Sequence, residues 1–135
     1  MTKEVQVKIG KEKYKTEVQI APHTLLADEP VTLGGQDLGP NPGELFLSSL
    51  GTCKAITLRM YADRKEWPLE SVEVHLVLHE REGENRDTTR IACDIKLIGN
   101  LDDEQRKRLM MIADKCPVHK MLSNPIVIES NLLAG

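Results

Sequence analysis

The sequence predicts an α+β fold with mostly antiparallel strands, and three observations carry that reading. Two pairs of segments alternate apolar and polar residues across a turn, one long helix signal lies between the pairs, and shorter helix signals follow the second pair. The length, 135 residues, is that of one domain spanning 1–135, burying roughly two thirds of its unfolded surface. No repeat, low-complexity tract or linker divides it.

Val5, Val7 and Ile9 alternate with Glu4, Gln6 and Lys8, Gly10 opens a turn, and Tyr14, Thr16, Val18 and Ile20 alternate on the way back. That is a hairpin. A third short strand is expected from Thr24 to Ala27, and residues 28–42 carry the Gly and Pro punctuation of a long loop, of the kind that often has a function. The loop ends at Asn41-Pro42-Gly43-Glu44, where Asn41 suits an N-cap, Pro42 the first helical position and Glu44 the third, as in a capping box. From Leu45 to Ala62 only Lys54 and Arg59 are charged, and the pattern closes at Asp63-Arg64-Lys65-Glu66. A helix about 36 Å long and apolar on nearly every side is expected to be buried on every side. One small chain does not cover it, so a homodimer is expected, with Ser48, Ser49, Gly51, Thr52 and Ala55 allowing close backbone approach.

Val72, Val74, Leu76 and Leu78 alternate with Glu73, His75 and His79, and Ile91, Cys93, Ile95 and Leu97 alternate with Ala92, Asp94 and Lys96. This predicts a second hairpin, with a polar connection over Arg81–Asp87. Asp102 or Asn100 then caps a helix from Asp103 to about Lys115 that places Leu109, Ile112 and Cys116 on one face. A short helix after Pro117 and a strand from Ile126 to about Leu132 complete the expectation.

Composition excludes several function classes. Lys plus Arg total 18 against 21 Asp plus Glu, a net charge of -3, so no basic surface is expected for nucleic acid. No apolar run reaches the ~20 residues of a membrane span, and the N-terminal residues have no signal-like apolar stretch, so no membrane and a cytoplasmic location are expected. Glycine-rich dinucleotide or phosphate loops and the Gly-x-Ser-x-Gly elbow do not occur, and no cofactor is expected.

Three cysteines cannot all pair within one chain. Cys93 is in phase with Ile91, Ile95 and Leu97 and reads as a packing residue. Cys53 lies in the buried helix, where burial alone would leave it inert and a neighbouring cation would activate it. Cys116 precedes Pro117 at an expected helix N-cap, which favours a thiolate, with His119 three residues on; a cysteine closing an apolar face is an equal reading. Glu44 precedes Cys53 by nine residues, the opposite side of a helix at about 100° per residue, so within one chain it reads as a cap. Cys116-x-x-His119 is half of a zinc spacing without its other half, and no metal is expected. His23, His75 and His79 read as solvated.

The runs Gly39-Pro-Asn-Pro-Gly-Glu-Leu-Phe-Leu-Ser-Ser-Leu-Gly-Thr-Cys53 and Cys116-Pro-Val-His-Lys-Met-Leu122 resemble the paired motifs of the OsmC/Ohr family, in its Pro-x-Glu-Leu branch. The likeness runs from the N-terminal hairpin to the final strand. It implies an intertwined homodimer whose antiparallel sheets wrap long central helices. It also implies reduction of small organic hydroperoxides, with Cys53 as peroxidatic thiol, Cys116 as resolving thiol and a dithiol such as a dihydrolipoyl group as reductant. The family's best-known enzymes hold the thiolate with an N-terminal-region Arg paired to a Glu ten residues before the peroxidatic cysteine. Here Gly43 stands at that position, Glu44 is the neighbouring candidate for the catalytic carboxylate, and no Arg precedes Arg59. Lys54, Arg59, Arg64 and His119 are the candidate cations. Two other functions fit the same pattern: a non-catalytic dimer holding an apolar ligand in an interface pocket, and a peroxide sensor.

Overall fold

A computed structural model describes residues 3–79 and 88–135. Its elements form an α+β fold whose strands pair antiparallel throughout. They gather into two compact units, the first ending at Ser48 and the second starting at Ser49.

In the first unit β1 (Gln6–Ile9), β2 (Thr16–Ile20) and β3 (His23–Ala27) form a sheet in that order, with Val7 opposite Val18 and Val18 opposite Leu25. The following loop is organised by one carboxylate. Asp28, only 2% exposed, accepts from the backbone N–H groups of Glu29 at 2.7 Å, Tyr14 at 3.1 Å, and Gln36 and Leu38 at 3.2 Å. Burial pushes its pKa up, but four N–H bonds to the charged form outweigh that and hold it below the ordinary value. The loop then delivers the chain to α1 (Pro42–Lys65) through the expected capping box: Glu44 N–H donates to Asn41 Oδ1 at 2.8 Å, and Asn41 N–H donates to Glu44 Oε1 at 2.9 Å.

In the second unit α1 ends where Glu66 turns left-handed, φ 56°. Its N–H donates to Asp63 O at 3.1 Å, and Trp67 N–H donates to Ala62 O at 2.9 Å, the paired bonds of a Schellman motif. Trp67 accordingly folds back onto Tyr61, ring centroids 5.5 Å apart and edge to face. β4 (Leu69–His79) and β5 (Arg90–Gly99) pair with Leu76 opposite Cys93. The polar connection expected over Arg81–Asp87 lies outside the described residues. Helix α2 (Asp103–Ala113) starts at a capping box between Asp102 and Gln105, so Asp102 rather than Asn100 is the cap. Arg106 ties α2 to the end of β5, donating to Leu97 O at 2.8 Å and Gly99 O at 3.0 Å. Helix α3 (Pro117–Leu122) follows after a three-residue bend.

The core of this unit joins Leu58, Tyr61 and Ala62 of α1 to Leu69, Leu101, Leu109, Ile112 and Ala113, with Val72, Ile95 and Leu97 of the sheet against it. Gly51 lets α1 approach the sheet closely, since a Cβ there would meet Leu76 Cδ1 at 2.7 Å.

One expectation needs correction. Residues 126–132 form no strand: Ile126, Val127, Ile128 and Leu132 are all exposed, because β-branched residues favour a strand but a strand exists only where an edge pairs with it. As expected of so long an apolar helix, one chain does not bury α1 all round. Leu50, Lys54, Leu58, Tyr61 and Ala62 are buried, whereas Phe46, Ile56 and Met60 are exposed, because one sheet and two short helices cover one side only.

Replacing Asp28 with Ala is expected to speed hydrogen exchange of the Tyr14, Gln36 and Leu38 amides. In the unsubstituted chain the same amides should lose protection as pH falls below the ordinary aspartate range, because a depressed carboxylate pKa contributes stability at higher pH and loses it on protonation. Glu66→Gly removes a left-handed non-glycine residue and is expected to raise stability in denaturant unfolding by about 1 kcal/mol.

Candidate active site

Cys53 sits near the middle of α1 and is half-buried, whereas Cys116 is fully buried at the N-cap of α3. The structure brings these two free cysteines near one another, so that Cys53 is among the groups acting on the Cys116 thiol. Cys116 is held there by its own helix. With φ -61° and ψ 137° it is extended at the cap, Pro117 begins the helix, and Cys116 Sγ accepts the His119 N–H at 3.3 Å.

Beside the pair lies a charge that an apolar helix must accommodate. Lys54, the residue after Cys53, is 2% exposed. Its ammonium is 3.0 Å from Ala113 O, 3.4 Å from Asp114 Oδ1 and 2.8 Å from His119 Nδ1. Three N–H donors thus meet three acceptors, which satisfies the buried ammonium. The short contact assigns His119 Nδ1 as an acceptor, leaving the proton on Nε2. Asp114 Oδ1 is 3.8 Å from the same nitrogen, but Asp114 is mostly exposed and solvent screens its share.

The thiols respond to these surroundings. Burial pushes the Cys116 pKa up, and the hydrogen bond to Cys53 favours its protonated form, while the His119 N–H and the Lys54 charge pull it down; the net shift is upward. Cys116 therefore rests as a thiol able to donate its S–H to Cys53. Cys93, half-buried on β5 in the phase expected, is also raised by burial, with Lys54 opposing the rise and Asp114 and Asp94 adding to it.

Of the four candidate cations, Lys54 and His119 meet at the thiols. Arg59 pairs instead with Asp63 at 2.9 Å, and Arg64 lies 5.3 Å over the Tyr61 ring. Glu44 belongs to the first unit, where it is exposed and its carboxylate serves the α1 capping box. Asp114 and the Ala113 carbonyl escaped sequence reasoning, since nothing local marks residues whose part depends on α1 packing against the bend after α2. Among the described residues no three His, Cys, Asp or Glu side chains are grouped to hold a metal ion, and no helix is long and apolar enough to cross a membrane.

The chain is thus an α+β protein with two neighbouring cysteines, one half-buried and one fully buried at a Cys-Pro helix start. The OsmC-like protein family model matches residues 34–131, and the chain belongs to that family. Its fold is similar to an OsmC-like protein from Mycoplasma pneumoniae, 16% identical, TM-score 0.76, over 91% of this chain and 88% of that one. It is also similar to an organic hydroperoxide resistance protein OsmC from Legionella pneumophila, 21% identical, TM-score 0.62, over 90% of each chain. The organic hydroperoxide resistance protein OhrB of Bacillus subtilis is 20% identical, TM-score 0.61, again over 90% of each chain. No curated protein matches the chain.

With reduced protein, a small uncharged alkylating reagent is expected to label Cys53 before Cys116 under native conditions, read by peptide mass spectrometry. Equal labelling would contradict the burial difference.

Proposed function

We propose that the chain is a thiol-dependent peroxidase that reduces small organic hydroperoxides through Cys53 and Cys116. The observation that carries this reading is the closeness of a half-buried thiol to a fully buried one, in a chain of the OsmC-like family. Membership and the names of the two hydroperoxide resistance proteins support the substrate class.

The Cys53 thiolate attacks the distal oxygen of the hydroperoxide, the O–O bond breaks, a sulfenic acid forms on Cys53, and the departing alkoxide takes a proton from water to leave as the alcohol. Cys116 sulfur then attacks the Cys53 sulfur. The S–O bond breaks, the Cys116 proton joins the departing hydroxide as water, and a Cys53–Cys116 disulfide results. An external dithiol such as a dihydrolipoyl group returns both cysteines to thiols while its own sulfurs close into a disulfide. The cycle needs a reducing compartment, in keeping with a cytoplasmic location.

In this proposal Glu44 acts through the α1 cap rather than at the reacting sulfur, residues 1–135 act as one OsmC-like domain, and the working form is a homodimer. The exposed Ile56 and Met60 on α1 support the last point. A carrier of apolar ligands is the second reading, favoured by a hollow of about 330 Å³ in the first unit, lined by Val7, Tyr14, Val18, Ala27 and Leu45 among others. Ligand binding that persists with both thiols blocked, without peroxide turnover, would favour it.

Cys53→Ser is expected to abolish reduction of cumene hydroperoxide in the presence of dihydrolipoamide. Cys116→Ser should still consume about one equivalent and stop as the sulfenic acid, seen by mass spectrometry after trapping. An undiminished rate in Cys53→Ser would overturn the assignment.

A further inference from the structure

Lys54 is a buried cation whose hydrogen bonds all go to one short segment, and that segment contains Cys116. From α1 it reaches Ala113 O at the end of α2, Asp114 in the bend and His119 in the first turn of α3. The three acceptors bracket Cys116 in sequence, and the residue before Lys54 is Cys53. One ammonium therefore bonds the segment that carries Cys116 from the position next to Cys53.

We propose that Lys54 is the positioning residue of the disulfide-forming step: its ammonium pins the 113–119 segment so that Cys116 faces Cys53, and its charge favours loss of the Cys116 proton as the sulfur attacks. This rests on the Cys53–Cys116 reading above and names the residue through which the second half of that cycle is controlled.

The charged and titratable groups around Cys116 are few. Cys53 and Lys54 face it from α1, His119 lies on its own helix, and Asp114 stands in the bend. Cys93 and Asp94 approach from β5 within the same field. Among the described residues Lys54 is the lysine or arginine that the contacts place in the group, its ammonium donating to His119 Nδ1. The mostly exposed Asp114 carboxylate lies 3.4 Å from the ammonium. Truncating the lysine removes the cation beside the thiol and leaves that carboxylate.

The experiment measures disulfide closure on the full chain by rapid quench and mass spectrometry, across a range of pH, with two oxidants. Cumene hydroperoxide tests closure from the sulfenic acid, in which the leaving hydroxide takes up the Cys116 proton. Diamide oxidises a thiolate to an adduct that the second thiol displaces, so it tests closure whether or not hydroperoxide is a substrate. Failure with cumene hydroperoxide but closure with diamide in the unsubstituted chain would sink the peroxidase reading and leave Lys54 under test.

Lys54→Met is expected to slow closure with diamide by more than tenfold and to move its half-maximal pH upward. Lys54→Arg, which keeps the charge and can reach the same carbonyl, should recover most of the rate and the original pH profile. Arg59→Ala, removing an exposed cation of the same helix, should leave both unchanged. Closure in Lys54→Met at the unsubstituted rate and pH profile would overturn the proposal. Should Lys54→Met not fold, Lys54→Arg carries the test with Lys54→Gln: an equal pH profile in Arg and Gln would equally overturn it.

Discussion

A charged side chain in the middle of an apolar helix has to be satisfied completely, and the second unit is arranged around that requirement. Moving an ammonium out of water costs on the order of several kcal/mol unless its protons find acceptors. Lys54 finds three, and none comes from its own helix. The chain must end α2 at Ala113, bend through Asp114 and start α3 at Pro117 to present those acceptors together. Cys116 lies inside that bend, so its position follows from the solvation of Lys54 as much as from the burial of its sulfur.

The thiols differ because their elements differ. Cys53 stands on a helix with one side packed and the other exposed, and remains partly reachable. Cys116 stands at a cap, where Pro117 fixes the first helical residue and the His119 N–H finds sulfur instead of water. Its burial favours a neutral thiol more strongly than the cap and the lysine favour a thiolate. In the proposed chemistry this ordering suits the work: the reachable sulfur meets the peroxide first, and the buried one is released to react only when a sulfenic acid lies against it.

Local chemistry made much of this legible in sequence. The α1 start was readable because Asn41, Pro42 and Glu44 form a capping box from residues three apart, and the phase of β5 was readable because Cys93 alternates with Asp94 and Lys96. The Cys116 N-cap was legible for the same reason, since proline tolerates few places in a helix. The Ile126–Leu132 strand failed because the β-branched run Ile126-Val127-Ile128 is a local signal while a pairing partner is a tertiary matter. Lys54 could be named in sequence as a charge out of place, yet not ranked above Arg59 or Arg64. Their distinction is burial, which depends on which side of α1 the sheet and α2 cover.

Helical spacing alone would separate Cys53 from Lys54 by about 100° around α1, so one target could not face both if it were a single side chain. The 113–119 segment resolves this by crossing the helix rather than meeting it at a point, offering backbone and imidazole acceptors to Lys54 and the Cys116 sulfur to Cys53. A straight continuation of α2 could not do so, because its carbonyls would be spent on its own helical bonds. Ala113 O is available to Lys54 because α2 stops there, and α3 can restart with a sulfur cap because the chain has bent. The break between α2 and α3 is therefore what allows a buried charge and a thiol pair to occupy adjacent positions on one helix.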